Sequence, residues 1–362
     1  MTQITRKHYI DNLRWIILLV LIPYHTAMAW NAWGEPNYIL FGGNKLISSV
    51  IVLFSPYFMP LLFVLAGVST KYAMKKRTNK EYLVDRVKRL LVPCLFGTIV
   101  LMPIMSYIAH RFNYSYEGGF LRHYGVFCTK FTDLTGADGG FSLGQFWFVL
   151  YLFVISTVAL GILILSGKNT PKEEKEIPLW IVCLLGLPLP FLSEILSIGG
   201  KSLAEFTYLF MVGYYVFADE KIVSKTEKNC WLLLVIGLVA TVLNVYLFLW
   251  SDKEFATLNT VAKYVSEWIM IVALIGVAKR FWNFSGNVSN YMNKRSFLFY
   301  IYHFIWVVLF QYILYEIVGE STAVLFVGTV ILAYVSTFVT CEISIRIPFL
   351  CFLTGTKYGS KK

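Results

Sequence analysis

The sequence predicts an all-α, polytopic integral membrane bundle of about ten transmembrane helices. Of 362 residues, 57% are hydrophobic and only 15% are charged. The mean hydropathy is +0.63, and apolar stretches long enough to cross a bilayer, roughly 17–25 residues each, recur from end to end. Such a chain has too little polar surface to face water on all sides, so the solvent for most of its fold is lipid. The spans read at 15–33, 46–70, 91–109, 146–166, 179–198, 203–218, 231–250, 262–279, 297–318 and 322–345. Pro188 and Pro190 kink the fifth and the sixth is short, so eight or nine spans remain open. With no low-complexity segment, soluble domain or internal repeat in view, residues 1–362 are expected to form one domain.

Basic residues orient the spans, because Lys and Arg accumulate in short loops on the cytoplasmic side. With both termini inside, alternate loops collect Lys71 to Arg89, Lys168 to Lys175, Lys221 to Lys228, and Lys279 to Arg295. Only Lys45, Arg111, Arg122, Lys130, Lys201, Lys253 and Lys263 of the 32 basic residues then lie outside. This asymmetry accounts for the net charge of +11 without nucleic acid. Arg6 and Lys7 before an apolar run ending in Ala27-Met28-Ala29 imitate a signal peptide. Cleavage there would upset the charge pattern and remove the most informative polar residues, so the run is read as the first span. Three of the six cysteines fall in spans and suggest no disulfide framework.

The longest loop, around 110–143, mixes Tyr114, Tyr116, Phe120, Tyr124, Phe127, Phe131 and Phe141 with six glycines. Such rings either stack on sugars or rest at the lipid headgroups, and spacing alone does not choose between them.

Ionisable side chains inside a membrane are costly and mark candidate sites. In the first span Arg14 and His25 are eleven steps apart, about three helical turns, so both project from nearly one face roughly 16 Å apart along the axis; Asp11 falls near that stripe. A cation at the inner mouth and an imidazole deeper in suit an elongated anionic ligand such as an acyl-coenzyme A. Arg14 would hold its phosphates while His25 meets the thioester. An imidazole can take the proton of an attacking hydroxyl, or carry the acyl group itself. The competing readings are positive-inside anchoring for Arg14 and a structurally satisfied histidine for His25. His303 and Glu267 form a candidate second polar site, with helix-to-helix hydrogen bonding and packing as the alternatives. Asn244 and Glu194 also enter spans, and Glu342 with Arg346 reads as an ion pair four residues apart. No zinc-ligand spacing, nucleotide-binding glycine loop or serine-nucleophile elbow appears, so no metal is expected.

Tyr9-Ile10-Asp11-Asn12-Leu13-Arg14 followed by Ile22-Pro23-Tyr24-His25-Thr26 resembles the membrane acyltransferase-3 family, and within it the glucan-modifying members. Further matching motifs come in the expected order: Phe63-Val64-Leu65-Ala66-Gly67, Arg86 to Arg89-Leu90-Leu91-Val92-Pro93, Gly144-Gln145-Phe146-Trp147-Phe148, and Ser296-Phe297-Leu298-Phe299-Tyr300-Ile301-Tyr302-His303. The resemblance implies ten helices with cytoplasmic termini in a bacterial plasma membrane. It also implies an acyl-coenzyme A donor and O-acylation, acetyl or succinyl, of a glycan or glycolipid at the outer face. Arg14 and His25 map onto the family's functional pair, Asp11 is a candidate for orienting the imidazole, and Arg86 and Arg89 are candidate further phosphate contacts. Ala66 departs from the serine common there, and no fused extracellular hydrolase-like domain is found. The rival function is a transporter or flippase for a lipid-linked sugar or small polar solute, which would favour an internal repeat with interrupted helices.

Overall fold

A computed structural model of the chain describes residues 7–132, 134–165 and 176–358; the predicted inner loop with Lys168, Lys172 and Lys175 lies outside them. The elements are α1 (His8–Leu19), α2 (Leu21–Met28), α3 (Lys45–Met74), α4 (Asn79–Tyr114), α5 (Phe120–Thr129), α6 (Gly144–Leu165), α7 (Leu179–Leu192), α8 (Leu203–Phe217), α9 (Glu220–Lys228), α10 (Cys230–Trp250), α11 (Ala256–Phe281), α12 (Asn287–Val318), α13 (Thr322–Ser344) and α14 (Pro348–Leu353). One two-residue-per-strand hairpin, Ser197–Ile198 with Lys201–Ser202, joins α7 to α8. The fold is therefore all-α, as predicted.

Seven of the described helices, α3, α4, α6, α10, α11, α12 and α13, are long and apolar enough to cross a membrane. The other three predicted spans are shorter. α7 stops at Leu192, so Glu194 lies beyond its end and is exposed rather than within a span. α8 has the length foreseen, and the first span divides into α1 and α2 at Val20.

The α13 surface shows the solvent for which it is built. Val324, Val327, Ile331, Val335, Val339 and Ile343 form its exposed stripe at three- and four-residue spacing, while Leu325, Thr329, Ala333, Thr337, Cys341 and Ser344 are buried. Large apolar residues outside and small or polar ones inside reverse the order of a water-soluble helix, as expected when the outer face meets hydrocarbon.

Prolines explain the irregular turns. Pro23 has no N–H to give the Leu19 carbonyl one turn back, and the helix breaks at Val20. The Tyr334 hydroxyl of α13 donates to that carbonyl at 2.6 Å instead. In α4 the wide turns Val87–Leu91 and Gly97–Leu101 precede Pro93 and Pro103 by two residues, where each missing donor and ring displaces the ladder. Pro103 frees the Ile99 carbonyl, which accepts from the Tyr124 hydroxyl of α5 at 3.0 Å. Pro56 accompanies the break at Ser55–Tyr57 inside α3.

The chain divides into two compact units, each assembled from three stretches. Unit 1 comprises Met1–Ile17, Val52–Val84 and Val154–Asn293, and unit 2 Leu18–Ile51, Asp85–Phe153 and Lys294–Lys362. In unit 1, α3 and α8 approach so closely that a Cβ at Gly67 would lie 1.9 Å from the Phe210 carbonyl oxygen, and one at Gly213 2.1 Å from that of Val64. Phe63 and Phe206 stack beside this contact, with ring centroids 4.5 Å apart. Asn12, fully buried, donates to the carbonyls of Trp282 at 2.6 Å and Phe284 at 2.9 Å, and accepts from Trp15 and Ser289. It thereby fastens α1 to the turn between α11 and α12. Glu220 bonds both Lys7 and Lys279.

In unit 2 the 110–143 segment is an ordered layer around α5. Its rings meet each other rather than leaving a free row: Phe141 packs against Phe127 at 5.4 Å and Phe131 at 5.0 Å, and Tyr116 stacks on His110 at 4.3 Å. Intramolecular packing thus engages much of the predicted aromatic set, although Tyr114, Phe120 and Phe131 remain exposed. Asn113 ties the layer down by donating to the carbonyls of Asn37, Tyr38 and Ala137. Asp138 stays ionised down to about 2: its partial burial opposes this, but the Thr132 hydroxyl and Lys130 outweigh it.

His123, on α5 and fully buried, has its imidazole pushed down to about 4 by burial and by the neighbouring His110, whose Nδ1 is 3.3 Å away. The folded value lies below the ordinary 6.5, so between them the unfolded chain binds the extra proton and stability rises with pH. The thermal midpoint of the wild type is expected to fall as pH drops from about 6.5 toward about 4, and His123→Phe to flatten that part of the curve. Parallel curves for the two proteins would show that His123 is not the titrating group.

Candidate active site

Unit 2 brings together two of the residues singled out from sequence, His25 and His303. α2 presents His25 and α12 presents His303, with ring centroids 5.3 Å apart at an interplanar angle of 38°. The His25 ring lies stacked on Phe304, centroids 4.0 Å apart, and meets Tyr24 edge-on. Phe304 is in turn held edge-to-face by Tyr38 at 5.4 Å. Gln311, two turns further along α12, donates to the Thr26 carbonyl at 3.0 Å, locking α2 against α12 beside the imidazoles.

His303 has no exposed surface, and its Nδ1 lies 2.8 Å from the Tyr300 carbonyl of its own helix. A carbonyl only accepts, so Nδ1 carries the proton and the lone pair is assigned to Nε2. Nε2 is buried and bonds no other side chain or backbone group. The helix-to-helix hydrogen bond expected of His303 is therefore replaced by a bond within α12 and an imidazole neighbour. The α12 motif is braced by the start of α6: Gln145 donates to the Ile301 carbonyl at 3.2 Å, and the Tyr300 hydroxyl donates to the Gln145 carbonyl. The two sequence motifs that carry Gln145 and His303 thus form one hydrogen-bonded cluster.

Unit 1 holds Asp11, Arg14 and Glu267. Arg14 forms an ion pair with Asp11 at 3.3 Å and donates to the Ser69 hydroxyl at 2.8 Å, while both side chains keep part of their surface exposed. A guanidinium aimed by a carboxylate and a hydroxyl is a pre-oriented anion ligand. Contacts to the His25 ring come from Phe304, Tyr24 and His303. Glu267 is 2% exposed and bonds Glu205 of α8; Asn244 of α10 is also buried. His303 and Glu267, grouped from sequence as one second polar site, belong to different units.

Arg86 and Arg89, in unit 2, share Asp85 as partner, both at 2.9 Å, with Arg89 the more exposed at 44% of its side chain. Glu342 binds Arg295 closely and Arg346 only at 4.0 Å, so the predicted pair four residues apart is the weaker of its two contacts. Among the described residues no three His, Cys, Asp or Glu side chains gather into a metal-binding group. Sequence reasoning missed Ser69, which nothing local marks, and Phe304, which directly follows the His303 motif.

The chain is similar to glucans biosynthesis protein C of Escherichia coli, 23% identical over 391 residues, covering 97% of this chain and 95% of that protein. It is 21% identical over 389 residues to the proteins of the same name from Salmonella paratyphi B and Salmonella enteritidis, with the same coverage. No solved structure matches. The sequence profile of the acyltransferase domain matches residues 7–342, which contain every candidate residue above. The chain is a multi-pass membrane enzyme that transfers acyl groups other than aminoacyl groups, and it belongs to the acyltransferase-3 family.

Proposed function

We propose that this enzyme moves an acyl group, acetyl or succinyl, from cytoplasmic acyl-coenzyme A to a hydroxyl of a cell-envelope glycan. The protein would work as one domain in a bacterial plasma membrane with both termini cytoplasmic. The imidazole pair of His25 and His303 carries this reading, and the glucan in the names of the similar proteins supports a glycan acceptor. Arg14, aimed by Asp11 and Ser69, is assigned to the phosphates of the donor, with Arg86 and Arg89 as further phosphate ligands. Glu267 is kept as a polar group of unit 1 with no step assigned to it.

His25 takes the proton of the acceptor hydroxyl as its oxygen attacks the thioester carbonyl. The carbon–sulfur bond then breaks, the ester forms, and the departing thiolate recovers the proton from His25. His303, its Nδ1 occupied by the Tyr300 carbonyl, offers only Nε2 to the pair and serves as a positioning residue for His25. Acyl-coenzyme A supplies the activated acyl group and needs no metal.

A donor that binds the folded state stabilises it, by about 2.7 kcal/mol at a hundredfold excess over its dissociation constant. Purified protein in detergent is expected to melt at higher temperature with acetyl- or succinyl-coenzyme A. Arg14→Ala should need roughly tenfold more donor for the same shift, the worth of one charge-assisted contact. Absence of any shift at saturating donor, with the protein folded, would remove the donor assignment.

A further inference from the structure

We propose that the cavity at the Tyr312–Glu320 end of α12 is the acceptor subsite, and that it takes an uncharged oligosaccharide in preference to an anionic one; this deepens the acyltransferase reading above and rests on it. The cavity, about 790 Å³, lies wholly within unit 2. That volume falls within the roughly 300–1,000 Å³ typical of small-ligand sites.

Its wall is a connected set of rings. Phe41 sits 4.8 Å from Trp30, 5.5 Å from Tyr315 in a stacked arrangement and 5.6 Å from Phe112, and Phe112 and Tyr315 are 5.1 Å apart. The loop that brings Phe41 here is pinned by its N–H to the Ala29 carbonyl at 2.8 Å and by the Asn44 N–H to the Trp30 carbonyl at 3.0 Å. Phe41 and Tyr315 cover each other's faces, so the rings lend the cavity a rigid wall whose open surface is mainly polar.

The rim is acidic. Glu117, Glu316 and Glu320 stand against a single guanidinium, Arg111, which itself donates to the Tyr107 hydroxyl at 3.1 Å. Ionised carboxylates only accept hydrogen bonds, so they match the O–H donors of a sugar. Three carboxylates against one cation repel phosphate and carboxylate ligands, which separates this cavity from the donor's chemistry.

Its placement fits an acceptor. Tyr312 follows His303 by nine residues on α12, about 13 Å along the axis, and Trp30 follows His25 on the segment that continues α2. Between cavity and imidazoles lie Phe304, stacked on His25, and Gln311, bonded to Thr26. A monosaccharide held at the level of Tyr312 stays about 13 Å of helix away from His303, so an acceptor serving both ends is an oligosaccharide.

The test measures binding of cellohexaose and its carboxylated derivative to the full chain in detergent by calorimetry. Wild type is expected to bind the neutral oligomer at least about tenfold more tightly than the carboxylated one. Tyr315→Ala should weaken that binding about tenfold with the donor-dependent thermal shift unchanged. The double variant Glu316→Gln/Glu320→Gln changes only exposed side chains and should narrow the neutral-to-anionic ratio to about twofold without unfolding the protein. Equal affinity for neutral and anionic oligomers, or no oligosaccharide binding while acyl-coenzyme A still stabilises the protein, would overturn the subsite. Loss of the donor response as well would instead overturn the acyltransferase assignment itself.

Discussion

Replacing His25 by glutamine is expected to lower acyl transfer by about 10²–10⁴-fold, the usual contribution of a positioned general base, at unchanged protein level in the membrane. The glutamine amide can still hydrogen-bond a hydroxyl and still lie against Phe304, but it cannot take a proton at neutral pH. Ground-state packing and the loss of base function are thereby separated. Donor binding should survive, so acyl-coenzyme A would continue to raise the melting temperature while product formation disappears. A variant that kept wild-type transfer would show that His25 is a structural histidine stacked on Phe304, and the chemistry would have to be sought elsewhere.

The second large effect is on the fold. Gly67→Ala and Gly213→Ala each drive a methyl group into a facing carbonyl, at 1.9 Å from Phe210 and 2.1 Å from Val64. Because the obstacle is backbone on both sides, no rotamer change relieves the clash and α3 must move away from α8. Both variants are expected to lose stability at or beyond the upper end of the about 1–3 kcal/mol typical of overpacking, read as a fall in the melting temperature in detergent. Gly161→Ala, where the added carbon meets nothing within 4 Å, provides the control and should be neutral or slightly stabilising. Equal melting temperatures for all three variants would mean that the α3–α8 approach is looser than described.

Much of this was readable from the residues because lipid imposes a coarse, strong pattern. The long apolar runs at 231–250 and 322–345 became α10 and α13 with little change, and α12 extends the run at 297–318 back to Asn287, so that Lys294 and Arg295 sit on the helix rather than in a loop. The motifs around Gly67 and His303 could be read only as family resemblance; that Gly67 meets α8, and that His303 faces His25 rather than Glu267, emerges only in the fold. The break at Val20 was not foreseen: Pro23 was visible, but its consequence depends on Tyr334, more than three hundred residues away, taking over the Leu19 carbonyl. For the same reason Asn12 reads as an ordinary polar residue ahead of the first span until Trp282, Phe284 and Ser289 converge on it. In the aromatic loop several rings take one another as partners, a choice that periodicity cannot reveal.

The hydroxyls of Tyr334 and Tyr124 carry a genealogical consequence. Each answers a carbonyl that a proline has set free, Leu19 for Pro23 and Ile99 for Pro103. An abandoned peptide oxygen in hydrocarbon costs several kcal/mol. A lineage that loses the tyrosine but keeps the proline inherits that cost, and one that loses the proline but keeps the tyrosine inherits a hydroxyl competing with a regular helix bond. Each pair is thus a single hereditary character written at two distant places in the chain, free to drift only as one.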